Sequence, residues 1–190
     1  MAKKIMFNDR YGLTQAVLEG RKTMTRRLVP EGTPCGCWRE TVKRSRYQVG
    51  EVVAIAQSYK EVAQGGYPVD ARYDAFRTAN WGDGEDGALK SSAGWNNKMF
   101  VKSELMPHSI RITDVRVERL NDITPDDCLK EGISFIDKIK AYYFDRSDRN
   151  QGFYYYTAKR AFAALIDKVS GKGVWDSNPY VFVYEFELVD

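Results

Sequence analysis

The stretch Gly20-Arg21-Lys22-Thr23-Met24-Thr25-Arg26-Arg27 sets four cations beside two threonine hydroxyls. A threonine hydroxyl attacks a carbonyl only when a base takes its proton, and a lysine acts as that base only in its neutral form. Lys22 and Thr25, three residues apart, are therefore a candidate base and nucleophile. Arg21, Arg26 and Arg27 press the pKa of Lys22 downward, as burial would. The same cations also suit an anion such as phosphate, so the cluster fits binding as well as catalysis. Glu131 is the other residue of interest. It falls in the last turn of an expected short helix, where a carboxylate meets the negative end of the helix dipole and requires a cation to answer it.

The elements that must position these groups are legible in outline. Asn8 or Asp9 caps a short helix carrying Leu13, Ala16 and Val17, and Gly20 stops it, so the cationic stretch begins where a helix ends. Residues 28–50, with Pro30, Gly32, Pro34 and Gly36, read as a basic loop. A strand is expected over 51–59, another over 99–102, and a long one over 109–120. In the long strand Ile110 and Ile112 have opposite parity to Val115 and Val117, which predicts a bulge near Thr113–Asp114. Thr124 caps the helix that follows, Pro125 opens it, Asp126 and Asp127 suit its positive end, and Gly132 closes it. A third helix over 157–169 carries Phe162, Leu165, Ile166 and Val169, and an aromatic strand from Tyr180 to Leu188 closes the chain. Strands mixed with about three short helices predict an α+β domain, 1–190, built on a partly closed barrel. Residues 61–97 form an aperiodic, glycine-rich excursion suited to a lid or a protein partner.

Charge is uneven along the 190 residues. Between Arg21 and Arg46, eight cations (Arg21, Lys22, Arg26, Arg27, Arg39, Lys43, Arg44, Arg46) face only Glu31 and Glu40. That is a net +6 in 26 residues, which leaves −3 for the rest of a chain whose total is +3. An acidic partner meeting that stretch is the expectation, with a solvated basic loop as the alternative. No apolar run suits a signal peptide or a membrane span, which predicts a cytoplasmic protein without membrane contact. Cys35, Cys37 and Cys128 form no disulfide framework, and with His108 as the sole histidine no metal site and no cofactor are expected.

Taken in order, these features resemble the ASCH domain family. The resemblance runs through the helix followed by GRKTMTRR, "YQVGEVVAIAQSY", "RITDVRVERLNDITPDDCLKEGI" and "FAALIDKVSGKGVWDSNPYVFVYEFEL". It covers most of 5–59 and 98–189, and its layout is closest to ASCH proteins carried by bacteriophages and prophages. It implies a PUA-like β-barrel and recognition of RNA or a nucleotide. A compact bacterial branch of the family hydrolyses the acetyl amide of N4-acetylcytidine with a lysine, a threonine and a glutamate. Matched by motif position, those residues are Lys22, Thr25 and Glu131. Gln57 stands where phage-type relatives often carry an acid, and the segments at 60–97 and 28–46 are expanded.

The resemblance thus implies an amidohydrolase acting on N4-acylated cytidine, with Arg21, Arg26, Arg27, Lys43, Arg44 and Arg46 binding the modified nucleoside or RNA. The alternatives are a non-catalytic RNA-binding module, a ribonuclease, and a phage accessory protein that binds a host protein through 61–97. In the plainest alternative Lys22 and Glu131 are a structural ion pair.

Overall fold

The computed structural model describes residues 3–64, 92–144 and 153–189. Most of the excursion at 61–97, with its acidic residues Asp83, Glu85 and Asp86, lies outside them. The fold is mixed α+β. Its strands are β1 (Lys4–Ile5), β2 (Met24–Leu28), β3 (Val52–Ile55), β4 (Ser109–Arg119), β5 (Ser134–Ile136), β6 (Ala141–Tyr143) and β7 (Tyr180–Val189). Its helices are α1 (Leu13–Leu18), α2 (Trp38–Lys43), α3 (Tyr59–Gln64), α4 (Pro125–Lys130), α5 (Ala158–Ser170) and α6 (Val174–Ser177). Five strands hydrogen-bond in the order β1-β3-β4-β7-β2, and β5 pairs with β6 in a separate hairpin. Among the described residues the larger sheet does not close into a barrel.

The chain forms two compact units, one from 1–7, 52–111 and 188–190, the other from 8–51 and 112–187. In the first, β1 runs parallel to β3, and β3 runs antiparallel to the first residues of β4. Its core gathers Ala54, Ala56, Tyr59, Val62, Val101 and Met106. The strand expected at 99–102 is instead a 3-10 turn over Lys98–Phe100, because the Asn97 side chain accepts from the Met99 amide at 2.9 Å and curls the backbone. The strand expected at 51–59 ends at Ile55 and gives way to α3.

In the second unit, α1 leads to Gly20 at φ +70°, and the chain then enters β2. β2 pairs antiparallel with β7, Thr25 opposite Tyr184 and Arg26 opposite Val183. The 28–50 segment is not all loop, since Trp38–Lys43 is helical and Trp38 rests on Tyr180 with ring centroids 5.0 Å apart. β4 runs as one strand through Thr113–Asp114 and buries both Ile112 and Val115. α4 is capped as its sequence predicts, with Thr124 Oγ1 accepting from the Asp127 amide at 3.1 Å and Pro125 in the first turn. α5 buries Ala158, Ala161, Phe162, Leu165 and Ile166 and packs against α4, while Val169 stays exposed.

Candidate functional site

Three local features bring the cationic stretch to Glu131. The Thr23 amide donates to the Lys130 carbonyl at 2.9 Å, which ties the entry of β2 to the end of α4. The Phe186 amide donates to the Thr23 carbonyl, so odd-numbered residues of β2 hydrogen-bond to β7. The Met24 carbonyl consequently points away from β7, toward the open edge of β2. There the Lys22 ammonium donates to the Met24 carbonyl at 2.7 Å, to the Glu131 carbonyl at 2.7 Å and to Glu131 Oε2 at 2.6 Å. Lys22 is 2% exposed and Glu131 4%. The carboxylate at the negative end of α4 is thereby answered, and the same lysine also takes one of the last carbonyls of that helix.

Arg26 answers it a second time. Its Nη1 lies 3.2 Å from Glu131 Oε1, its Nε 3.1 Å from Glu118 Oε1, and its Nη2 3.0 Å from Asp127 Oδ2. One carboxylate is thus shared between two cations, and one guanidinium is shared among three carboxylates. Arg116 extends the network to Glu185 at 2.6 Å, Glu118 at 3.2 Å and Asp114 at 3.1 Å. Sequence reasoning did not pick out this second layer. The signal was present: Asp114, Arg116 and Glu118 alternate along β4 and share one face of it.

These surroundings shift the titrating groups. Burial holds Lys22 below the ordinary lysine value; Glu131 pulls the other way, while Arg27 and Arg26 add to the lowering. For Arg26, burial opposes the charge, but Glu131, Glu118 and Asp127 outweigh it and its pKa stands above the ordinary arginine value. Burial lowers Arg27. Cys128, enclosed in α4, is pushed by burial to about 12 and stays a thiol.

The remaining candidates are dispersed. Thr25 is buried opposite Tyr184 and therefore shares the Tyr184 face of β2, while Arg26 projects from the other face. Its hydroxyl makes no hydrogen bond among the described residues. Arg27 lies on the Thr25 face. Arg21 is exposed and donates to Glu19 at 2.7 Å. Lys43 pairs with Glu40 on exposed α2, Arg44 is exposed at the end of that helix, and Arg46 stacks 5.6 Å from the Tyr47 ring centroid. Among the described residues no cluster of His, Cys, Asp and Glu is arranged to hold a metal ion. No helix among them is long and apolar enough to cross a membrane.

The chain matches no protein-family model and no curated protein. Among solved structures it is similar to the ASCH domain from Lactobacillus crispatus JV V101, at 13% identity and a TM-score of 0.39, covering 98% of this chain and 77% of that one.

Proposed function

We propose that the protein is a nucleoside- or RNA-recognising domain of the ASCH, PUA-like type, and that it hydrolyses the acyl amide of N4-acylated cytidine without metal or cofactor. The observation that carries this reading is the Lys22–Glu131 pair, two residues 109 positions apart held at 2.6 Å in a buried setting that lowers the lysine pKa. It sits on the residues that the GRKTMTRR and KEGI motifs single out by resemblance.

In this reading Thr25, whose side chain leaves β2 on the face opposite Arg26, passes its hydroxyl proton through a bridging water to Lys22, once that lysine is neutral, as Thr25 Oγ1 adds to the acyl carbonyl carbon. The C–N bond then breaks, the departing cytosine amine takes the proton relayed through Lys22 and Glu131, and the acyl group rests on Thr25. Water hydrolyses that ester and releases the carboxylic acid. Arg26 holds the Glu131 carboxylate in place for the relay.

The test is to incubate the protein with N4-acetylcytidine, separate the products by chromatography, and weigh the intact protein for one acetyl group on Thr25. Cytidine should appear with the wild type and not with Thr25→Ala or Glu131→Gln. No cytidine from folded wild type at any pH between neutrality and the lysine range ends the hydrolase reading.

A non-catalytic RNA-binding module is the second reading, favoured by one specific fact. The three acceptors around Lys22 engage all three protons of its ammonium, an arrangement suited to a permanent ion pair. Short RNA retained by the protein with no chemical change would select it.

A further inference from the structure

The second compact unit contains a cavity of about 790 Å³ whose lining includes none of the ion-network side chains. It is lined by the turn around Arg10, by Arg21 after α1, by Gly132 after α4, and by Phe135 and Tyr143 on the β5–β6 hairpin. Its volume lies in the upper part of the range for small-molecule sites, roughly 300–1,000 Å³, and it is lined by both aromatic and charged side chains.

Two kinds of group converge there. The flat ones come from the hairpin. Phe135 is 42% exposed and leans on Tyr142 at 4.9 Å between ring centroids, with Lys140 Nζ 6.0 Å from its ring centroid. The cationic ones come from the opposite wall. Arg10 is exposed and forms no ion pair among the described residues; its guanidinium lies 5.7 Å from the Tyr11 ring centroid. Arg21 is held by Glu19 through one edge, which orients the fork and leaves its other edge for a second acceptor. The acid on this wall, Asp9, accepts from the Thr14 hydroxyl. Lys168 adds a third positive charge, 4.9 Å from the Phe144 ring centroid at the cavity wall.

The cavity also abuts the proposed reaction centre. A Cβ added to Gly132 would lie 3.6 Å from Lys22 Cδ and 3.2 Å from Leu13 Cδ2, and Gly132 holds φ +104°, which a side chain would strain.

We infer that this cavity is the seat for a phosphorylated, planar ring, one nucleotide unit, with the base against Phe135 and the phosphate on Arg10 and Arg21. The inference rests on the nucleoside-or-RNA reading above and narrows it: the preferred ligand carries a phosphate, which a free nucleoside lacks. A mononucleotide and the phosphorylated end of a strand share this chemistry.

The test compares cytidine, cytidine 5′-monophosphate, and a short RNA with and without a 5′-phosphate, by calorimetric titration against the full chain. The monophosphate should bind at least about tenfold more tightly than cytidine, the gain of one charge-assisted contact to an arginine fork. Arg10→Ala should erase that preference, Arg10→Lys should restore part of it, and Phe135→Ala should weaken nucleoside and nucleotide alike. A preference for the phosphorylated RNA over its unphosphorylated twin places the strand end in the cavity; equal RNA affinities place the free nucleotide there. Equal affinity for cytidine and its monophosphate, or an unchanged preference in folded Arg10→Ala, overturns the inference. Cytidine release from N4-acetylcytidine alongside that result leaves the hydrolase reading standing. Phosphate-selective binding without hydrolysis ends the hydrolase reading and keeps the cavity assignment.

Discussion

At the scale of single residues, the unequal sharing around Glu131 makes its removal the harsher substitution. Glu131→Ala leaves two buried cations, Lys22 and Arg26, without their common counter-charge. Lys22→Met leaves a carboxylate that still has Arg26. Breaking a buried pair costs about 3–5 kcal/mol, and Glu131→Ala should reach that range while Lys22→Met falls below it, as read from urea unfolding. A reversed order would show that Arg26 does not hold the carboxylate. The depressed pKa of Lys22 has a sign that can be checked too. The unfolded chain holds the lysine proton up to about 10.5, whereas the folded chain releases it earlier. Between those two values the unfolded state binds more protons, so the Lys22 contribution to stability rises with pH. The stability of the wild type minus that of Lys22→Met should therefore increase from neutrality toward pH 10, and hydrolysis should rise over the same window. A flat difference would mean that Lys22 titrates like a surface lysine.

At the scale of elements, α4 is the piece that delivers Glu131, and its cap is the cheapest way to loosen it. Thr124→Ala removes the acceptor of the Asp127 amide and should cost about 1 kcal/mol, with Thr124→Ser recovering most of it in the same unfolding assay. This helix was legible because each of its ends carries a residue with a local reason to be there. The β5–β6 hairpin was not. Its turn is made by Lys140 at φ 50°, where a glycine or asparagine would have marked it, so "SFIDKIKAYY" offers no punctuation. α2 was hidden in the same way: its N-cap residue Cys37 makes no side-chain capping bond, and prolines and glycines precede it. The Lys22–Glu131 contact became legible only through the motif resemblance, although the misplaced carboxylate at the end of α4 already asked for a cation.

At the scale of the whole molecule, the +6 of residues 21–46 divides into an interior part and a surface part. Lys22 and Arg26 belong to the buried network and Arg27 is largely enclosed, whereas Arg39, Lys43, Arg44 and Arg46 are exposed. The sequence-level count therefore overstates the charge on offer to a polynucleotide. If about three of the exposed cations meet phosphates, the log–log salt slope for a single strand should be about −2, at roughly −0.7 per contact. Changing Lys43, Arg44 and Arg46 together to Ala should flatten that slope and weaken binding, as measured by RNA affinity at several salt concentrations. Unchanged affinity in the triple variant would assign these residues to a merely solvated surface.

The double hold on Glu131 also constrains how this protein can diverge. A lineage that loses the carboxylate first takes from the buried Lys22 the acid that answers it, whereas Arg26 keeps Glu118 and Asp127. One that first replaces Lys22 by an apolar residue still has Arg26 to satisfy the acid. Paths through sequence space should therefore pass through position 22 before position 131. In a saturation library, substitutions at Glu131 should be rejected in the parental background and accepted once Lys22 is apolar, making the two positions a single inherited unit.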